Sequence, residues 1–285
     1  AKLIMKWRND EITREMSFNQ ELKKWEEFKN EYYNNYFNNI PLFITLNGIK
    51  IAFVSYIKKT EEIYIIGINL DPNYREHYCD MLLDQNIYEI NPYENLLLKK
   101  KSKILLGPKY VLLDPNYTKI SPNKKISCLS KINICFGGSD PVNLTSKIID
   151  IIKTINYINF DIIVGPYYQH YKELHEKTKE FLNIRLFKNP ENMEKLLNES
   201  QLAIGSTGIS SYERCYLGIP TIVITISENQ INVAKNLEKK GVIDYLDHYD
   251  NFDENKLTIL IEKYYNNEKL NKKREKCLKL IDGKG

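Results

Sequence analysis

Apolar residues recur in short bursts through the second half of the chain, rich in isoleucine and valine, and each burst precedes a polar stretch with helical spacing. From residue 131 onward this alternation is regular. It predicts strands over 132–136, 160–164, 184–187, 202–204 and 221–226. The intervening helices are predicted over 143–155, 168–181, 192–199, 210–217 and 230–240. Strands that are apolar without interruption are buried on both faces, which marks a parallel sheet covered by helices. Right-handed crossovers then give a doubly wound, Rossmann-like domain. Residues 252–285 predict a charged helix or pair of helices at its periphery.

The first half has a different texture. Across 1–38, Trp7, Phe18, Trp25, Phe28, Tyr32 and Tyr36 recur at near-helical spacing among charged residues. Strands are predicted over 40–47 and 49–58, around Asn47-Gly48, a dipeptide suited to a type I′ hairpin turn. A third strand over 63–70 is stopped by Asp71-Pro72-Asn73. Helices followed by an antiparallel meander make an α+β unit over 1–75. Between 76 and 130 the pattern breaks: 80–86 is short and strand-like, 96–101 is a loop, and 104–113 carries Gly107-Pro108. Pro115, Pro122 and the polar residues between them suggest a connecting segment, leaving 131–285 as the second domain.

Composition narrows the function classes. Of 285 residues 42% are hydrophobic, enough for a buried core and against wholesale disorder. The net charge of +4 is small and interleaved, so Lys99-Lys100-Lys101 reads as a solvated loop and no nucleic-acid partner is expected. No run approaches the roughly 20 apolar residues of a membrane span, and residues 1–14 do not read as a signal peptide. Cys79, Cys128, Cys135, Cys215 and Cys277 are scattered and lack CxxC spacing, which indicates neither zinc nor a disulfide framework. A reducing cytoplasm is the economical location. No metal or cofactor is expected, and the oligomeric state is left open.

Two segments carry candidate chemistry. Phe136-Gly137-Gly138-Ser139-Asp140 and Gly205-Ser206-Thr207-Gly208-Ile209-Ser210-Ser211 each stand between a predicted strand and a predicted helix. Such turns aim amide donors and the positive end of a helix at one spot, where anions bind. Two of them in one parallel sheet suggest a diphosphate ligand, with a nucleotide-sugar as its source. The first could equally be an ordinary turn, with Asn143, close to Asp140, as a helix N-cap. In the second, Glu213 on the following helix is placed to accept from a ribose cis-diol, or simply to favour the helix dipole. Arg214 reads as a surface cation or a partner for a neighbouring acid. Glu228-Asn229-Gln230 follows the strand over 221–226 and offers donors and acceptors for sugar hydroxyls, or a plain turn and cap. His77, His170, His175 and His248 each read as solvated, although any of them titrates in the right range for a general base.

Taken together, FGGSD, GSTGISSYERCYLGIP and SENQ resemble the UDP-2,4-diacetamido-2,4,6-trideoxy-β-L-altropyranose hydrolases of pseudaminic acid biosynthesis. The likeness extends upstream through Cys79–Asn86 and Leu106–Tyr110, and so covers about His77 to Leu246. It implies a glycosyltransferase-B architecture and hydrolysis of a UDP-sugar. Gly137, Gly138, Ser139 and Asp140 would then surround the UDP-sugar. Gly208, Ser210 and Ser211 would hold the diphosphate, Glu213 the ribose, and Asn229 and Gln230 would face the sugar. Such hydrolases carry a histidine in an N-terminal GxGHxxR-like loop; no such segment occurs in this sequence, and His77 is the candidate substitute. Residues 1–75 instead resemble the front half of a GNAT-superfamily N-acetyltransferase, through Leu3–Asn9 and Ile66–Arg75. That resemblance implies acetyl transfer to an amino-sugar as the alternative. The acetyl-CoA loop of that family is replaced here by Arg75-Glu76-His77-Tyr78-Cys79-Asp80, which has no glycine to let backbone approach a pyrophosphate. A nucleotide-sugar binder without turnover is the third reading.

Overall fold

A computed structural model describes residues 24–25, 42–46, 49–59, 62–70, 81–93, 96–97, 102–122, 126–265 and 269–285, the strands within 42–70 by their backbone. The chain divides into two compact units, Ala1–Asp80 with Pro92–Ser102, and Met81–Asn91 with Lys103–Gly285.

In the first unit, β1 (Leu42–Leu46), β2 (Ile49–Lys59) and β3 (Glu62–Leu70) form an antiparallel meander in that order. Leu42 pairs with Val54 and Ala52 with Leu70, with register shifts between Ile44 and Thr45 and between Ser55 and Tyr56. β-Branched and aromatic residues dominate these strands, as a pleated surface favours. The predicted Asn47-Gly48 turn and His77 lie outside the described residues, as do the helices predicted before residue 38, apart from Lys24 and Trp25.

The second unit opens with β4 (Met81–Asp84) and β5 (Lys103–Leu106), paired in parallel with Leu82 opposite Ile104. A short 3-10 turn (Pro108–Tyr110) and α1 (Pro115–Thr118) follow, with Asp114 capping α1 through the Asn116 amide at 2.8 Å. Six strands then alternate with helices: β6 (Lys131–Cys135), α2 (Leu144–Ile152), β7 (Asn159–Val164), α3 (Tyr171–Thr178), β8 (Ile184–Lys188) and α4 (Met193–Asn198). The chain continues through β9 (Leu202–Gly205), α5 (Ile209–Tyr216), β10 (Thr221–Thr225), α6 (Asn229–Lys239) and β11 (Ile243–His248). Helices α7 (Glu254–Tyr265) and α8 (Lys269–Leu280) close it. No helix among the described residues is long and apolar enough to cross a membrane.

All pairings in the six-stranded sheet are parallel, and the spatial order is β11-β10-β9-β6-β7-β8. The chain winds outward from β6 to β8, then crosses back to β9 on the other side of β6. That reversal is a topological switch point, where loops from β6 and β9 part and leave a crevice beyond the strand ends.

Alternate side chains of β6 serve opposite faces. Ile132, Ile134 and Phe136 pack with Leu144, Ile148 and Ile152 of α2 and with Leu257, Ile261 and Tyr264 of α7. On the other face, Cys135 joins Ile163, Leu196, Leu197, Ala203, Leu217 and Tyr117. Each fully buried Ile or Leu contributes about 1.5–3 kcal/mol of transfer free energy. The C-terminal helices are therefore core elements, which their charge-rich sequence does not advertise.

Residues 81–91 and 103–113 do not run as a free connection. Ile87 and Val111 are buried with Tyr212 and Cys215 of α5, Ala234 and Leu237 of α6, and Cys277 of α8. The Tyr212 hydroxyl donates to Asn86 Oδ1 at 3.2 Å, Asn236 donates to the Ile87 carbonyl at 2.8 Å, and Lys239 pairs with Glu89.

Candidate functional site

The β6–α2 turn is built on two glycines and a buried aspartate. Gly137 sits at φ +88°, a region that disfavours any side chain, and the space where Cβ atoms of Gly137 and Gly138 would lie is open. Asp140, only 3% exposed, accepts from the amides of Leu144 (3.0 Å) and Thr145 (2.8 Å), so both carboxylate oxygens cap α2. Asn143 makes no side-chain cap bond; its Oδ1 accepts from the Tyr168 hydroxyl at 2.5 Å. The next rim turn braces this one. A Cβ on Gly165 would lie 2.3 Å from the Gly138 backbone, and the Tyr167 amide donates to the Gly138 carbonyl at 3.2 Å. Helix α3 starts at Tyr171, later than residue 168, because residues 165–168 are used for this brace. The amides of Gly138 and Ser139 have no acceptor among the described residues.

The β9–α5 turn lies beside it. Cys135 and Gly205 are register partners, so both turns leave adjacent strands at the same rim. Gly208, at φ +142°, also faces open space, and its amide finds no described acceptor. Ser206, Thr207 and Ser211 are buried, while Ser139 and Ser210 are half-buried and Gly137, Gly138 and Gly208 are exposed. Hydroxyls inside the turn hold its shape: Ser211 donates to the Ser206 carbonyl at 3.4 Å and Thr207 to the Gln230 carbonyl at 3.1 Å. That second bond joins the turn to the β10–α6 loop.

In the β10–α6 loop, Gln230 Oε1 accepts from the Ile226 amide at 2.9 Å, and Asn229 Oδ1 accepts from Ser227 at 2.7 Å. Their amide nitrogens remain available as donors. Asn229 is exposed and Gln230 half-buried. His248, at the end of β11, is half-buried with Nδ1 3.0 Å from Thr225 Oγ1, whereas the sequence suggested a solvated ring.

Glu213 stands on α5 beneath this rim. Its carboxyl interacts with the hydroxyl of Tyr117, a residue delivered by the segment that reads as a linker. Burial raises the Glu213 carboxyl above its ordinary 4.5; Arg214 and the Tyr117 hydroxyl oppose the rise and Asp114 adds to it. Burial likewise pushes the Tyr117 phenol up. Arg214 corrects a reading: it is 1% exposed, not a surface cation, because α5 turns its side chain under the Ser206–Ser211 turn. No sequence signal marks Tyr117, while Gly165-Pro166 after an apolar run was a visible turn signal. Among the described residues no three His, Cys, Asp or Glu side chains converge to hold a metal ion.

Residues 133–282 match the family model of the glycosyltransferase family 28 C-terminal domain. The UDP-2,4-diacetamido-2,4,6-trideoxy-beta-L-altropyranose hydrolase of Campylobacter jejuni is 30% identical over 201 residues, 70% of this chain and 71% of that one. An uncharacterized protein of Methanocaldococcus jannaschii is 28% identical over 204 residues; the match covers 68% of this chain but 42% of that protein's length. Among solved structures, MurG of Acinetobacter baumannii superposes with a TM-score of 0.50 at 15% identity, over 71% of this chain and 57% of MurG, a likeness of fold.

Proposed function

Since the chain belongs to the family of the glycosyltransferase family 28 C-terminal domain, we propose that it binds a UDP-linked amino-sugar at the β6–β9 rim and hydrolyses it. One observation carries the reading: two glycine turns, each with open space over its glycines, leave adjacent parallel strands at the switch point. Free amides of Gly138, Ser139 and Gly208, with the Ser210 hydroxyl, would donate to the diphosphate, helped by the positive end of α5. Glu213 would accept from the ribose diol, and the side-chain amides of Asn229 and Gln230 would donate to the sugar.

In the reaction, a water oxygen bonds to the anomeric carbon, the bond from that carbon to the β-phosphate oxygen breaks, and UDP leaves with the electron pair. The water gives up a proton to a base or to solvent. Turn amides stabilise the charge that grows on the leaving diphosphate, and that is where such donors lower a barrier. His77 is the sequence's candidate for activating the water. The relative from Campylobacter jejuni is named for hydrolysis of a diacetamido-trideoxy sugar, and that class is the first substrate to try.

Incubation with the UDP-linked diacetamido sugar, read by phosphorus NMR, tests the reading. Free UDP with free sugar supports hydrolysis. UDP binding by calorimetry with no release supports a binder without turnover. Release of CoA from acetyl-CoA would favour acetyl transfer instead, and failure to bind UDP at all would remove the site.

A further inference from the structure

Arg214 is a buried cation without a carboxylate partner. Its Nη2 donates to the Ser206 carbonyl at 2.7 Å and to Ser211 Oγ at 3.3 Å, and its Nε is buried with no partner. No described acid pairs with it within ion-pair distance. Its guanidinium rests against the seam between β6 and β9. A Cβ on Gly205 would lie 2.4 Å from the Cys135 carbonyl oxygen and 3.1 Å from Arg214 Nη1. The Cys135 carbonyl is what demands glycine at 205, and the bare Cα also leaves the guanidinium close to the seam.

A desolvated charge with an idle donor is costly unless something opposite in sign compensates it. The turn it supports has its free Gly208 amide and the positive end of α5 on the same side. Glu213 lies near enough to interact with Arg214 but forms no ion pair with it, so three sources of positive potential converge on the turn.

We infer that Arg214 is the positioning and charge-bearing residue of an anion site at the Ser206–Ser211 turn: it fixes the turn through Ser206 and Ser211 and holds a permanent positive charge beneath it for a diphosphate. This inference rests on the reading of that rim as a diphosphate site. Arg214 does not touch the reacting atoms; it acts through the turn and through its field. A guanidinium suits the task, because it stays charged even when burial lowers its affinity for the proton.

Affinities for UDP, inorganic pyrophosphate and uridine, measured for the full chain and for Arg214→Lys and Arg214→Met, test the assignment. Arg214→Met should lose about 30-fold in UDP and pyrophosphate affinity, the scale of a charge-assisted contact, while uridine binding changes less than about 3-fold. Arg214→Lys should recover most of the loss, which a purely structural role would not predict. Equal weakening of uridine and UDP, or UDP affinity unchanged in Arg214→Met, overturns the inference and leaves the site standing. Wild-type protein that binds neither UDP nor pyrophosphate removes both; pyrophosphate without UDP removes the nucleotide alone. Should Arg214→Met not fold, the salt dependence of wild-type UDP binding decides. A buried cation is weakly screened and predicts less than about a 3-fold change between about 0.05 and 0.5 M salt, and a steep decline overturns it.

Discussion

At the scale of single residues, Glu213 shows how burial converts an ordinary helix acid into a pH-dependent element. Its folded-state carboxyl lies above 4.5, chiefly through burial, so the folded protein keeps a proton that the unfolded chain releases. The group's contribution to stability is full below 4.5 and declines as pH rises from there through the folded value. Glu213→Gln should flatten that part of the curve of melting temperature against pH, the decline above 4.5; an unchanged curve would contradict the assignment. The ribose role makes a separate demand: Glu213→Ala should weaken UDP about tenfold or more by calorimetry. Asp140 is a different case. Both of its oxygens are spent on α2 amides, so Asp140→Ala should cost about 1–2 kcal/mol in urea unfolding. The motif FGGSD was legible in the sequence as a turn or a ligand contact, with the helix cap expected at Asn143. Only the bond geometry assigns the carboxylate to the cap.

At the scale of elements, two rim glycines separate packing from binding. Gly165 is pressed onto the backbone of Gly138, and a methyl group there has no room. Gly165→Ala should therefore lose about 1–3 kcal/mol of stability and shift the first turn. Gly138 faces open space, so Gly138→Ala should melt within about 0.5 kcal/mol of wild type yet weaken UDP, because the methyl occupies the ligand's side. Parallel behaviour of the two variants in melting and calorimetry would count against the site. Five of the six strands of the parallel sheet were legible from their apolar runs, within a residue or two at each end. β11, Ile243–His248, was not, because Asp244, Tyr245 and Asp247 interrupt its apolar pattern at the edge of the sheet. An edge strand is covered less completely, so its sequence is freer to be polar.

At the scale of the whole molecule, residues 81–91 and 103–285 form one unit although the front of that stretch reads as a connection. Ile87, 7% exposed, joins a cluster drawn from α5, α6 and α8. Ile87→Ala should cost about 2–4 kcal/mol in chemical unfolding; a cost near zero would mean the segment is detachable. Proline and polar residues signal turns, but a turn-rich segment can still bury one face. The antiparallel meander of 42–70 was legible for the opposite reason, since its strands are close in sequence and need only short turns to pair.

What the chain determined by itself is local: the run of strand, glycine turn and helix, and the glycines at φ angles that side chains avoid. These follow from backbone sterics and from the periodicity that each covered face imposes. Tertiary structure alone decided that β9 returns beside β6, that Arg214 is turned under the rim, and that Tyr117 reaches Glu213. Periodicity records that a face is buried but not which element buries it, and contacts between distant parts of the chain leave no fixed spacing to read.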